Sequence, residues 1–329
     1  MEQAFIKNIF RIDDEKTFRA AALEVFYYQA KHTPVYRDYL AALGTDPSRI
    51  RKLEEIPCLP IEFFKSHTVI EEGKNAEVIF ESSGTTGSLP SRHYVAEAGL
   101  YRESFKGGFR KFYGDPEKYC ILALLPSYLE RQGSSLIYML DHLIRGSEHP
   151  NSGFYLDNLK ELTSILRVLD QHQIPTLLFG VSFALLELAE RYPISLGRSI
   201  TVLETGGMKG RRREMIRSEL HAVLNEAFGT SYIHSEYGMT ELLSQAYSAG
   251  RGLFHTPPWM RVLIRDPNDP LTMLHSGHSG GINIIDLANI HSCSFIATGD
   301  LGKLYGDGSF EVLGRFDHSD IRGCNLLVS

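Results

Sequence analysis

The feature that most constrains this 329-residue chain is an alternation of short apolar runs and helix-like segments between residues 120 and 228. Short apolar runs bounded by turn residues predict buried strands, and apolar residues three or four apart predict helices. Strands that alternate with helices in this way favour a mainly parallel sheet covered by helices. The predicted strands are 120–125, 176–179 and 200–204, and the predicted helices are 136–144, 159–172, 183–191 and 211–228.

The segments before and after this region have different patterns of apolar residues. Residues 14–32 carry apolar side chains at helical spacing before Thr33 and Pro34 end the pattern, and a second short helix is expected after Pro34. After about residue 250, short apolar runs alternate with Gly, Asp, Asn and Pro, which predicts β-structure. We therefore expect an α/β fold in one compact unit, with a helical preface (1–75), an α/β core with a phosphate loop (76–250) and a β-rich subdomain with a terminal hinge segment (251–329).

Composition narrows the possible functions. Apolar residues make up 43% and charged residues 22% of the chain, as in ordinary globular proteins. The net charge of −6 argues against a dedicated nucleic-acid binder. No apolar run is long enough to span a bilayer and no secretory signal is recognisable, so a cytoplasmic location is expected. The four cysteines form no Cys-x-x-Cys pair, which predicts reduced thiols.

A glycine- and hydroxyl-rich loop follows the predicted strand at 77–80. Small residues leave its backbone N–H groups accessible, and four hydroxyls accompany them, which suits the oxygens of a nucleotide phosphate. The loop lacks the Gly-Lys pair of a Walker motif, and composition alone is equally compatible with a flexible turn. Its residues are Ser82, Ser83, Gly84, Thr85, Thr86, Gly87 and Ser88.

Four further motifs follow in order along the chain: TGG at 205–207, EYGMTE at 236–241, TGDLG at 298–302 and GRFD at 314–317. Together with the loop, they resemble the signature motifs of the adenylate-forming superfamily, which includes acyl-coenzyme A synthetases and peptide-synthetase adenylation domains. The resemblance implies that the large N-terminal domain of that fold is present. It also implies ATP and Mg²⁺ as cofactors and a carboxylic acid as substrate, which attacks the ATP α-phosphorus to give an acyl-adenylate and pyrophosphate.

The resemblance assigns a role to each matching residue. The loop 82–88 would enclose the β- and γ-phosphates, Arg92 would supply a cation, and Gly206 and Gly207 would let the backbone approach the adenine. Tyr237, followed by Gly238 and Met239, would stack on the purine. Thr240 would contact the α-phosphate, Glu241 would hold Mg²⁺, Asp300 would bind the ribose hydroxyls, and Arg315 would contact the ribose or phosphates.

Further segments resemble one branch of the superfamily, the acyl-protein synthetase subunits of bacterial bioluminescence fatty-acid reductase complexes. They are HTPVYRDYL at 32–40, IPCLPIEFFKS at 56–66, LPSYLERQGSSLIYMLDHL at 125–143 and DIRGCNLLVS at 320–329. This branch implies a fatty-acid substrate, transfer of the acyl group to Cys324 beside Arg322, and an acyl-reductase partner protein. The usual C-terminal lid domain, with its lysine, is expected to be absent because the sequence ends soon after Arg315.

Two alternatives stay open at this stage. Phenylacetate–coenzyme A ligases share the same motifs, and in such an enzyme coenzyme A would accept the acyl group while Cys324 took no part. A degenerate fold that binds nucleotide or a partner without turnover is the non-enzyme alternative.

Two weaker expectations complete the set. Tyr128, Tyr138, Met139 and Phe179 are candidate liners of an acyl pocket and equally plausible core residues. His275 and His278, with His291 and Cys293, have a spacing compatible with zinc, although loop histidines are more often solvated or structural.

Overall fold

A computed structural model describes residues 3–82, 89–126, 133–206 and 215–316. Within these ranges the chain forms helices and strands in the following order. The helices are α1 Gln3–Ile9, α2 Glu15–His32, α3 Pro34–Ala42, α4 Phe63–Ser66, α5 Ala98–Tyr113, α6 Ser135–Ser147, α7 Leu159–Gln171, α8 Ser182–Arg191 and α9 Arg217–Phe228. The strands are β1 Leu59–Pro60, β2 Val78–Glu81, β3 Arg92–Val95, β4 Cys120–Leu124, β5 Gly153–Tyr155, β6 Thr176–Val181, β7 Ile200–Thr205, β8 His234–Tyr237, β9 Ala246–Ser248, β10 Met260–Arg265, β11 Met273–Leu274, β12 Ser279–Asp286, β13 Phe295–Leu304 and β14 Phe310–Arg315.

The chain divides into two compact units, and each is discontinuous in sequence. The first unit gathers the described parts of 1–79, 91–98 and 255–329, and the second gathers those of 80–90 and 99–254. The helical segment at the beginning of the chain and the β-rich segment after residue 254 therefore belong to the same unit.

The second unit is built on a sheet with the strand order β5-β4-β6-β7-β8-β9. The first five strands are parallel and β9 joins β8 antiparallel. Every residue of β4 and β6 is buried, as expected for central strands of a parallel sheet covered on both faces. The predicted mainly parallel α/β sheet is confirmed, and its strands bring their carboxyl ends to one edge.

The first unit contains a sheet with the strand order β1-β13-β12-β10-β11, to which β14 is added beside β13. All its pairings are antiparallel except that of β1 with β13. Helix α2 buries Phe18, Val25 and Phe26 completely. Its Gln29 side chain donates to the carbonyls of Asn289 and Ile290, both at 2.9 Å. The first helical segment is thereby fastened to a loop more than 250 residues away.

The boundaries differ from the sequence expectation at one informative place. The helix predicted over 211–228 begins, in the described part of the chain, at Arg217, because Ile216 has an extended backbone (ψ 148°).

Helix α5 was not predicted from the sequence. It contains Gly99, Gly107 and Gly108, and glycine lowers helix propensity. It is stabilised instead by burial of Tyr101, Phe105 and Phe109, four residues apart on one face.

Candidate active site

The predicted nucleotide-binding residues of the second unit follow two neighbouring strands. Strands β7 and β8 are parallel, and Thr205 is the cross-strand partner of Glu236. Gly206 and Tyr237 therefore lie together at the carboxyl edge, where open α/β sheets commonly bind ligands. Gly206 has φ +68°, a left-handed conformation that glycine adopts without strain. This turn leaves no side chain between the backbone and a ligand.

A buried carboxyl group joins the two strand ends. The hydroxyl of Thr205 donates to Glu236 Oε2, and both residues are buried. Burial raises the pKa of Glu236 to about 7; the hydrogen bond from Thr205 opposes this rise and the charge of Glu204 adds to it. At neutral pH this carboxyl group is close to half protonated.

Gly238 follows the same strand and is confined by that carboxyl group. A Cβ at Gly238 would collide with Glu236 Oε1 and would lie 3.3 Å from Gln245 Cγ. The absence of a side chain at this position is therefore a packing requirement. The backbone of Gly238 covers the buried Glu236 carboxyl.

A second buried carboxylate, that of Glu204, lies beneath the turn at Gly206. Glu204 Oε1 accepts a hydrogen bond from Arg217 Nε at 3.1 Å and lies 3.4 Å from His221 Nε2. Burial alone would raise the pKa of Glu204, but the His221 hydrogen bond and the Arg217 charge lower it below the usual value. The turn at Gly206 therefore has an ionised, charge-compensated carboxylate beneath it.

Tyr237 is 8% exposed, and its ring contacts that of Phe254 edge-on. Its ring centroid is 5.9 Å from that of Phe254 at an interplanar angle of 62°. The guanidinium carbon of Arg217 lies 4.8 Å from the centroid of Phe254. The ring predicted to stack on adenine thus contacts Phe254 at its edge, and Arg217 lies over the ring of Phe254.

Thr240 and Glu241 form a turn directly after this strand end. Thr240 is half-buried, and Glu241 is 5% exposed. No cluster of three or more His, Cys, Asp or Glu residues able to hold a metal occurs in the described ranges. A Mg²⁺ ion bound to nucleotide phosphates needs only one or two protein carboxylates, because phosphates and water complete its shell. The buried carboxylate of Glu241, which follows Thr240 in the chain, fits an ion of that kind.

The first unit brings together Asp300 and Arg315. They are cross-strand partners on β13 and β14, with Arg315 Nε 3.6 Å from Asp300 Oδ1. The backbone N–H of Asp300 donates to Thr298 Oγ1 at 3.1 Å, and buried Arg265 donates to the Thr298 carbonyl at 2.6 Å. Two residues with predicted nucleotide roles thus lie side by side on a braced strand pair.

The remaining predicted residues have varied positions. Arg92 is exposed on β3 of the first unit, and Ser82 is half-buried directly after β2. Met139 and Phe179 are core residues, each 1% exposed. Tyr138 is half-buried, and its hydroxyl accepts a hydrogen bond from Arg102 at 2.7 Å. Predicted residues outside the described ranges are Ser83, Gly84, Thr85, Thr86, Gly87, Ser88, Tyr128, Gly207 and Cys324.

The possible zinc set does not form a metal-binding cluster in the described part of the chain. His275 and His278 are both exposed, whereas His291 is buried against Glu71, with Nδ1 2.5 Å from Oε2. Cys293 is fully buried. His275 and His278 are exposed whereas His291 and Cys293 are buried, so the four residues do not form a zinc site in the described part of the chain.

Glu204, Arg217 and the special position of Glu236 were not predicted from the sequence. Glu204 carried a signal, because it lies at the end of the predicted strand 200–204, where an acidic residue is unusual. Glu236 belongs to the motif at 236–241 but to no predicted strand. Arg217 carried no such signal, because it lies inside a predicted helix and is paired through the fold.

Comparison with solved structures places this geometry in a known architecture. A structure of 2-hydroxyisobutyryl-CoA ligase in the postadenylation state, in complex with 2-HIB-AMP, matches with a TM-score of 0.64 at 15% identity. The match covers 93% of this chain and 69% of that chain. The chain has the fold of the adenylate-forming enzymes.

Two further matches extend this result. The open conformation of the same ligase, in complex with 2-HIB-AMP and CoA, has a TM-score of 0.63 at 16% identity, over 91% of this chain and 70% of that chain. ATP-bound MatB from Rhodopseudomonas palustris has a TM-score of 0.54 at 16% identity. That match covers 72% of this chain and 47% of MatB, so the chain spans about half of MatB.

No family model matches the sequence, and no curated protein matches it. None of the helices in the described ranges has the length and apolar character needed to cross a membrane.

Proposed function

We propose that this protein activates a carboxylic acid with ATP to form an acyl-adenylate and pyrophosphate. The observation that carries the proposal is the placement of Gly206 and the segment 237–241 at the carboxyl ends of two neighbouring parallel strands. The fold around them is shared with a ligase in complex with 2-HIB-AMP and with ATP-bound MatB.

The residues of the second unit divide the work of binding. The side-chain-free turn at Gly206 and the ring of Tyr237 hold the adenine, and Thr240 donates to the α-phosphate. The carboxylate of Glu241 holds Mg²⁺, which neutralises charge on the phosphate oxygens. For the first unit, the motif resemblance predicts that Asp300 accepts hydrogen bonds from ribose hydroxyls and that Arg315 contacts the ribose or phosphates.

The reaction needs no general base in this arrangement. A carboxylic acid is ionised at neutral pH, so one carboxylate oxygen attacks the α-phosphorus directly while the bond to the bridging oxygen of pyrophosphate breaks. The protein contributes by placing the two reactants in line and by stabilising charge on the phosphates.

We further propose that the acyl group passes to the Cys324 thiolate, which attacks the acyl carbonyl and displaces AMP. The other three cysteines are buried. Burial raises the pKa of Cys58 to about 12 and that of Cys120 to about 11, and it also raises the pKa of Cys293. Protonated, inaccessible thiols are poor nucleophiles. This favours Cys324 as the acceptor if a thiol of this chain is used.

The substrate and partner in this proposal are a fatty acid and an acyl-reductase protein. They are supported by the motif resemblance described above. Met139 and Phe179 are buried and Tyr138 is half-buried, and all three stay candidates for contact with an acyl chain.

A coenzyme A ligase is the second candidate. One observation favours it: the matching ligase was crystallised in complex with both 2-HIB-AMP and CoA. In that case the adenylate chemistry is the same, and the thiol of coenzyme A takes the place of Cys324.

The test is acid-dependent pyrophosphate release and intact-protein mass after incubation with ATP, Mg²⁺ and a panel of short, long-chain and aromatic acids. A hydroxylamine-sensitive acyl adduct that is lost in Cys324→Ser supports the acyl-protein reading. An adduct retained in that variant places the acceptor elsewhere. Pyrophosphate release that needs coenzyme A, without an adduct, supports the ligase reading.

A matched pair of variants tests the metal and adenylation role. Glu241→Ala is expected to abolish pyrophosphate release, because it removes the proposed Mg²⁺ ligand. Glu226→Ala removes an exposed carboxylate from α9 and is expected to leave release unchanged. Normal release by Glu241→Ala would contradict the assignment of the motif, and release by no form of the protein with any acid would favour the non-enzyme alternative.

A further inference from the structure

The turn at Gly206 and the ring of Tyr237, which are proposed to hold adenine, are both connected to Arg217 of α9. On the first side, the Ser182 hydroxyl lies 2.7 Å from the carbonyl oxygen of Gly206 and 3.3 Å from Glu204 Oε2. Glu204 Oε1 in turn accepts from Arg217 Nε at 3.1 Å. A continuous series of polar contacts therefore runs from the backbone of Gly206 to Arg217.

The second series of contacts starts at Tyr237. Its ring meets Phe254 edge-on, and the guanidinium of Arg217 lies over the face of Phe254 at 4.8 Å. Aromatic rings in this arrangement attract each other, and a cation is attracted to the face of a ring. The ring of Tyr237 and the turn at Gly206 are thus connected to Arg217 by independent routes.

The shape of arginine suits this double contact. Its planar guanidinium donates hydrogen bonds within its plane while its flat face lies on an aromatic ring, and an ammonium group has no such flat face. The Glu204 side chain is 3% exposed, so its charge needs a partner, and Arg217 is itself only 25% exposed. The contacts are therefore partly shielded from water, which strengthens them.

The structure assigns to Arg217 the role of a positioning residue. It fixes the position of the Gly206 turn relative to the Tyr237 ring, so that both can contact adenine. This inference rests on the proposed function, because it presupposes that adenine binds at these strand ends. Arg217 does not touch the nucleotide in this account; it acts through Glu204 and Phe254.

The first test compares Arg217→Lys with Arg191→Lys. The first substitution keeps a cation beside Glu204 but removes the flat group over Phe254. Arg191 makes the same two kinds of contact within α8, to Glu187 at 2.8 Å and over the ring of Tyr192 at 5.7 Å. It serves as the matched control because neither contact leads to the turns.

Two readouts are needed, calorimetric affinity for AMP and hydrogen–deuterium exchange of the ligand-free protein. For Arg217→Lys we expect AMP binding to weaken about ten-fold, equivalent to about 1.4 kcal/mol. Amide exchange should become faster around Gly206 and around Tyr237. Arg191→Lys should change neither readout.

A second variant separates the two routes without disturbing the buried ion pair. Phe254→Leu breaks the contact to Tyr237 and leaves the pair between Arg217 and Glu204 in place. Faster exchange is then expected around Tyr237 and not around Gly206, with weaker AMP binding. A merely structural loss would accelerate exchange at both places.

The outcomes distinguish the two proposals. If the unmodified chain binds neither AMP nor ATP, the proposed function is overturned and this inference fails with it. If the unmodified chain binds AMP, and Arg217→Lys leaves both affinity and exchange at the turns unchanged, only the positioning role is overturned.

Discussion

The carboxyl group of Glu236 shows how one residue couples stability to pH at this site. It is buried between two strand ends, accepts a hydrogen bond from Thr205 and has a pKa raised to about 7. An acid whose pKa is raised by folding binds its proton more tightly in the folded state. Its stabilising contribution is therefore complete below the unfolded pKa of about 4.5 and is lost as the pH rises through 7.

We expect Glu236→Gln to reduce the loss of stability between pH 5 and pH 8. The shift of Glu236 corresponds to roughly 3 kcal/mol across that window, and an amide does not titrate but still accepts from Thr205. The measurement is the unfolding free energy in urea at both pH values. Glu226→Gln, at an exposed position of α9, is the control. An identical pH dependence in Glu236→Gln and the unmodified protein would show that Glu236 is ionised throughout.

Gly238 gives a second prediction at the same scale. An alanine there places a Cβ against Glu236 Oε1, so Gly238→Ala is expected to destabilise the protein by about 1–3 kcal/mol. Gly153→Ala is the matched control, because a Cβ at Gly153 meets nothing within 4 Å. Chemical denaturation of both variants checks the expectation, and equal stabilities would mean that the Glu236 side chain moves aside at little cost.

At the scale of elements, one side chain fastens α2 to the loop after β12. Gln29 is fully buried, donates to two backbone carbonyls and accepts from the N–H of Ser294 at 2.9 Å. A single amide therefore satisfies three buried backbone groups. The helix packs through apolar residues, but this amide fixes its register against the loop.

Gln29→Ala is expected to lower the unfolding free energy by about 3 kcal/mol, because buried backbone groups are left without partners. Gln171→Ala, at the exposed end of α7, removes the same side chain from solvent-facing surface and should change stability little. Urea denaturation of the two variants provides the measurement. A loss below about 0.5 kcal/mol for Gln29→Ala would indicate that water enters and replaces the amide.

Elements were predictable where local pattern and tertiary fold agree. Central strands such as β4 and β6 are continuous apolar runs, and the sequence places them within two residues of their observed ends. Helix α5 was missed because its glycines oppose helix formation locally and only packing compensates. Strand β8 was not predicted, because HSEY has no apolar run, although the motif at 236–241 overlaps it; this strand forms through its pairing with β7.

The candidate site shows the same division. The motif resemblance predicts roles for Gly206, Tyr237 and Glu241, and the structure places all three at the ends of β7 and β8 or directly after them. The sequence did not identify Glu204 and Arg217 as partners, because their ion pair joins the end of a strand to the beginning of a helix thirteen residues later. Such an ion pair depends on the fold and produces no periodic pattern in the amino-acid sequence.

At the scale of the whole molecule, the distribution of cysteines allows a test of the fold that does not depend on enzymatic activity. Cys58, Cys120 and Cys293 are buried. We expect the native Cys324→Ser variant to react only slowly with a thiol reagent such as Ellman's reagent, and three thiols per chain to titrate once it is unfolded. The unmodified protein, measured in parallel, gives the contribution of Cys324. Rapid reaction of the native variant would show that a buried cysteine is accessible.

The discontinuous first unit has a consequence for biosynthesis. Gln29 finds its partner Asn289 260 positions later in the chain. At a translation rate of about 5–20 residues per second, α2 waits on the order of 10 to 50 seconds for that partner to be made. During this interval Phe26 of the helix can pack on Tyr36 of α3 but not on Phe295, which has not yet been made, while the whole of the second unit can be synthesised and folded. The emerging amino-terminal segment is therefore the part of the nascent polypeptide on which we expect a ribosome-associated chaperone to act.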